Sequence, residues 1–179
     1  DPEPRPAGQW SWVKPAVLEY KLAERLPPGN RFDVSASEDY VRWVGLPLVG
    51  DKEFNFSTRA LAVDECFLHS QDHLTTKIKL RFNQPVDPKA LTEGLVCRVP
   101  SSEENLEWEL LAPEVGSEFS LSVATPEDRL IEMTLKEGLA PAMGSLGLSE
   151  PYFHVVRLSP VFGATDARAP YWRGIERSV

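Results

Sequence analysis

Apolar and polar residues alternate with a period of two along most of this chain. Leu18, Tyr20 and Leu22 are interleaved with Glu19 and Lys21, and Phe32 and Val34 with Arg31, Asp33 and Ser35. Phe54 and Phe56 alternate with Glu53, Asn55 and Ser57, and Ile78, Leu80 and Phe82 with Lys77, Lys79 and Arg81. The same spacing puts Leu95, Cys97 and Val99 on one face, and likewise Leu106, Trp108 and Leu110, then Phe119, Leu121 and Val123, then Ile131, Met133 and Leu135. Successive side chains of a strand point to opposite faces, so this pattern predicts strands with one face on a core and one in water. Strands at spacings of ~8–12 residues with turn residues between them predict a β-sandwich or barrel. One helical turn stands out: Asp87 as cap, Pro88 in the first turn and Gly94 at the end. Ile78, Leu80, Phe82, Trp108, Leu121, Val123, Ile131, Met133 and Leu135 are the expected core of the second half of the chain.

A weak internal repeat overlies this pattern. The segment Leu18 to Pro28 matches Ile131 to Pro141, with Glu19 on Glu132, an offset of 113. Each copy is expected to read strand, Leu-Pro turn, strand, followed by an aromatic strand, Glu53–Thr58 in the first and Tyr152–Leu158 in the second. A repeat this long is a whole small domain rather than a solenoid turn of ~20–50 residues. The second copy has a long run of strands, from Val63 to Arg129, ahead of its matching segment; the first has only the residues before Leu18. The first unit is therefore expected to lack its opening strands. The start at Asp1-Pro2-Glu3-Pro4 reads as a processed chain or a fragment.

Composition narrows the partners. The 179 residues carry 27 acidic against 19 basic side chains, a net charge of −8, which argues against nucleic acid, whose phosphates need a basic surface. No run reaches the ~18 apolar residues of a membrane-spanning helix, and membrane insertion by this segment is not expected. The 16 prolines cut long helices and favour short strands joined by turns.

Candidate chemistry is sparse. Cys66, His69 and His73 have ligand-like spacing, with Asp72 alongside, but His69 and His73 would need a helix to share a face, so they read as a buried thiol and two loop histidines rather than zinc ligands. Cys66 and Cys97 are either a disulfide, worth ~2–4 kcal/mol in an oxidising compartment, or free buried thiols. Ser70, Asp72 and His73 are adjacent in sequence, whereas catalytic groups converge from separate segments. Asp64-Glu65 and Glu103-Glu104 read as solvated strand ends rather than calcium ligands. Trp10, Trp12, Trp43, Trp108 and Trp172 suit core or inter-domain packing better than a carbohydrate platform. No catalytic residue, metal or cofactor is expected.

The strand and turn motifs resemble a family. Trp10-Ser11-Trp12, Val17 to Tyr20, the turn Leu26-Pro27-Pro28-Gly29-Asn30 leading into Phe32 and Val34, and the closing Phe54-Asn55-Phe56-Ser57-Thr58 are similar to the immunoglobulin-like modules near the start of bacterial alpha-2-macroglobulins. Ile78 to Pro88, with Asn83-Gln84-Pro85-Val86-Asp87-Pro88 at its end, resembles the opening strand and turn of the same modules. The resemblance implies an all-β fold of tandem immunoglobulin-like antiparallel β-sandwich modules: residues 1–62 the C-terminal part of a first module, truncated at its N-terminus, 63–158 a second module, and 159–179 a linker or the start of a third. It also implies a non-enzymatic scaffold segment of a protease trap, secreted or periplasmic and often lipid-anchored. Its partners would be the rest of the parent chain and, through other regions, the target proteases. Neither Cys66 nor Cys97 sits in the Cys-x-Glu-Gln segment that a thioester needs. The alternative is a binding module of a bacterial surface adhesin or polysaccharide-associated protein.

Overall fold

The computed structural model describes residues 6–14, 17–35, 53–72, 74–102, 105–127 and 129–159. They form an all-β fold of small antiparallel sheets with one short helix.

The larger part is a sandwich. Strands β5 (Val63–Gln71), β6 (Thr75–Val86), β8 (Trp108–Leu110) and β9 (Gly116–Ala124) make one sheet in the order β5-β6-β9-β8. Strands β7 (Leu95–Arg98), β10 (Leu130–Leu135) and β11 (Tyr152–Arg157) make the other in the order β11-β10-β7. Their inward faces share one core. Ile78, Leu80, Phe82, Leu121, Val123, Ile131, Met133 and Leu135 are buried in it, with Trp108 half-buried at its margin. Register explains the fit: Ile78 lies opposite Leu121 and Leu80 opposite Phe119, so the apolar faces of β6 and β9 coincide. The Phe82 and Phe119 rings meet edge to face at 6.0 Å.

Helix α1 (Pro88–Gly94) carries the chain from one sheet to the other. Asp87 caps it, its carboxylate accepting from the Lys89 N–H at 2.8 Å, and Leu91 fastens it to the core. This is the helical turn expected from the sequence.

The remaining strands form two separate hairpin-like pairs: β1 (Gly8–Lys14) with β2 (Val17–Leu22), and β3 (Arg31–Ser35) with β4 (Glu53–Ser57). The strands β2, β3 and β4 are predicted ones, but the offset of 113 does not carry over into pairing. It places β2 on β10, yet β2 pairs with β1, whereas β10 pairs with β11 and β7. The pair that resembles β10–β11 is β3–β4, with residues 36–52 between its strands against 136–151 in the second pair. Residues 142–151 hold no strand, unlike the expected strand–turn–strand order.

Candidate functional site

Between β4 and β5 and beside the end of β6, a short stretch of chain gathers a cluster of side-chain hydrogen bonds. The period-two pattern of β6 runs without a break to its end, so Thr76, Ile78, Leu80, Phe82, Gln84 and Val86 all face inward. Gln84 is thereby carried inside, 2% exposed, although it is polar. Beyond Arg81 the register of β6 with β9 shifts, and Pro85, which has no N–H to give a central ladder, lies in that shift. The end of β6 is left to hold the segment between β4 and β5. Asn83 donates from Nδ2 to the Ala60 carbonyl at 2.8 Å and accepts from the Ala62 N–H at 2.8 Å, while its own N–H donates to the Ala62 carbonyl at 3.1 Å. Gln84 donates from Nε2 to the Arg59 carbonyl at 2.8 Å. Between these anchors Leu61 enters the sandwich core.

The turn before β3 docks beside this segment. The Gly29 N–H donates to the Arg59 carbonyl at 3.0 Å, and the Gly29 carbonyl accepts from the Ser145 and Leu146 N–H groups, both at 2.7 Å. The Leu61 N–H donates to the Leu146 carbonyl at 3.0 Å. Thr58 Oγ1 accepts from the Asn30 N–H at 2.9 Å and donates to the Pro27 carbonyl at 2.9 Å, closing the base of the hairpin. The Gln84 Oε1 has no partner. It faces Gly29, and turning the amide over would give up the bond to Arg59. A buried carbonyl without a donor costs on the order of 1–3 kcal/mol, which the surrounding bonds must offset.

Inside the sandwich sits a group of sulfur atoms. Cys66 Sγ of β5 lies 3.7 Å from Met133 Sδ of β10, and Met133 stands opposite Cys97 of β7 in the other ladder. Both cysteines are free thiols, each against Met133 rather than bridged to the other. Burial pushes the Cys66 thiol up to about 11; burial, and then the neighbouring Cys66, pushes Cys97 up to about 12. Both stay protonated near neutrality, so neither is an activated nucleophile. The Tyr152 phenol beside them is raised too, by burial first and Cys66 second.

The other candidate residues are scattered. His69 lies within β5 and is exposed, not in a loop as expected, because β5 runs on to Gln71. Asp72 shapes the β5–β6 turn, its carboxylate accepting from the Leu74 and Thr75 N–H groups at 2.8 and 2.7 Å. Asp64 and Glu65 form surface ion pairs with Arg59 at 3.4 Å and Arg81 at 2.7 Å. Trp10 and Trp12 are not packed away; they are 60% and 52% exposed on β1, with the Trp10 ring 4.7 Å from that of Tyr20. His73, Trp43, Trp172, Glu103, Glu104 and residues 160–179 lie outside the described residues.

Asn83 and Gln84 stand in the strand-and-turn motif of the sequence without a task assigned to either. The signal for them is a pair of amide side chains at the end of a long alternating strand, one of them at inward parity. Comparison with protein-family models, with curated proteins and with solved structures gives no match in any of the three.

Proposed function

We propose that this chain is a non-catalytic scaffold segment, built from immunoglobulin-like modules, of a bacterial alpha-2-macroglobulin-like protease inhibitor. The observation that carries the reading is strand order. Lettered A to G along the chain, β5 to β11 pair as ABED in one sheet and CFG in the other, which is the order of a constant-type immunoglobulin sandwich. On this reading the two earlier pairs, β1–β2 and β3–β4, are the D–E and F–G pairs of a first module in tandem with it. In this reading residues 1–62 belong to that first module, 63–158 to the second, and 159–179 lead onward. The joint at Asn83, Gln84 and Gly29 serves architecture rather than chemistry. The partners are the remainder of a periplasmic or extracellular parent chain and, through other regions, proteases.

The test uses both the parent and this chain. The reading frame that encodes the segment is expected to be long and to carry a Cys-x-Glu-Gln or a protease-sensitive segment elsewhere. The parent should trap a broad-specificity protease and become more compact on native gels. This chain alone should neither inhibit proteases nor turn over peptidase, esterase or glycosidase substrates. Turnover abolished by Ser70→Ala would overturn the proposal.

One observation favours a second reading. Trp10 and Trp12 share a face of β1 with Tyr20 and Leu18 opposite them, exposed as a polysaccharide-binding module would expose them. Quenching of tryptophan fluorescence by soluble polysaccharides, lost in Trp10→Ala, would support that reading and count against the scaffold.

A further inference from the structure

We infer that the turn at Gly29 and the loop at Gly144–Leu146 form a glycine-dependent latch that fixes the β3–β4 pair to the sandwich and opens as a unit while the sandwich stays folded. The inference does not depend on the scaffold reading.

Three observations carry it. First, both sides of the contact require glycine. Gly29 has φ +69° and Gly144 φ +101°, in the region that side chains rarely adopt. A Cβ on Gly29 would lie 2.8 Å from Gln84 Oε1, and one on Gly144 would lie 2.7 Å from the Pro28 carbonyl oxygen and 2.8 Å from that of Gly29. The second clash is with backbone, which cannot swing aside. Second, the contact is held by directed bonds converging on one carbonyl, that of Gly29, rather than by a broad apolar surface. Phe54 and Phe56 of the docked pair remain exposed. Third, closing leaves Gln84 Oε1 buried and unpartnered, so opening returns a hydrogen bond to that atom through water. Directed bonds are lost together once the geometry is lost, and an unsatisfied group on the closed side lowers the cost of separation. Such a contact belongs at the low end of the range of local opening energies, below the cooperative core at Ile78–Phe82.

The test is amide hydrogen exchange on the full chain. In Gly144→Ala, the Ser145 and Leu146 amides, which donate to the Gly29 carbonyl, should exchange at least tenfold faster than in wild type, while those of Ile78–Phe82 in β6 keep their rate. Gly116→Ala, where the added Cβ meets nothing closer than 3.9 Å, should leave both sets unchanged. Thr58→Val, which removes the hydroxyl at the hairpin base and so loosens the Gly29 turn without touching the sandwich, should speed the same Ser145 and Leu146 amides and serves if Gly144→Ala does not fold. Unchanged latch amides in both variants would refute the latch. Equal acceleration of the latch and β6 amides would show the contact to be part of the sandwich's own cooperative unit, which also overturns the proposal.

Discussion

The two regions are built from the same kind of strand and differ in what covers it. In the sandwich, β10 pairs Ile131 with Val156 and Leu135 with Tyr152, and the face so formed is buried. In the first region, β3 and β4 pair Phe32 with Phe56 and Val34 with Phe54, an equally apolar face, yet only Phe32 is buried, its ring stacked on Phe56 at 5.2 Å. The inner edge of β10 is taken by β7 and that of β9 by β6; among the described residues β3 and β2 each have a single partner strand. Two strands with an apolar face are marginal in water, whereas strands in stacked sheets gain from every buried side chain. Alternation therefore specifies a strand, and the opposing sheet makes it stable.

The contrast is sharpest in paired truncations. Leu80→Ala empties a fully buried position of β6 and should cost ~2–5 kcal/mol in denaturant melts followed by circular dichroism. Phe54→Ala removes a larger side chain that is 60% exposed and should cost less than ~0.5 kcal/mol. Equal losses at the two sites would erase the distinction between the regions.

Alkaline pH separates them next, because the raised thiols lie in the sandwich. The Cys66 and Cys97 thiols, at about 11 and about 12 in the fold against 9.0 for a free thiol, keep their protons after the unfolded chain has lost them. The two thiols therefore leave stability unchanged below about pH 9 and lower it as pH rises from 9 towards 12. Cys97→Ala should be less stable at pH 7 but lose less on going to pH 11. An alkaline limb identical to wild type would show that the thiol is not buried. A smaller effect, again confined to the sandwich, is expected of Asp87→Ala, which removes the α1 cap at a cost of about 1 kcal/mol.

Much of this was legible in the sequence, and the limits are instructive. Strands, core residues and the Asp87 cap follow from local period and chemistry. Pairing did not, because a period-two pattern matches itself at every even shift. Identities such as Glu19 with Glu132 could therefore align β2 with β10, although the two strands have different neighbours. The state of Cys66 and Cys97 depends on which strands face each other across the core, and Met133 beside both is invisible until the sheets are stacked. The joint needed one step more: the inward parity of Gln84 could be counted from Ile78, but its partner Arg59 lies in a segment without periodicity.

The length of β6 has a mechanical consequence. Its first residues belong to the sheet and its last to the joint, and the segment that Asn83 grips runs directly into β5. Tension applied through that segment pulls β5 along its own axis against β6, and ladder bonds lie across that axis. They are loaded in shear, all at once, instead of being peeled apart singly. The Asn83 side chain takes up the first of the load, so the strand that centres the core also receives whatever pull reaches the sandwich from the first region.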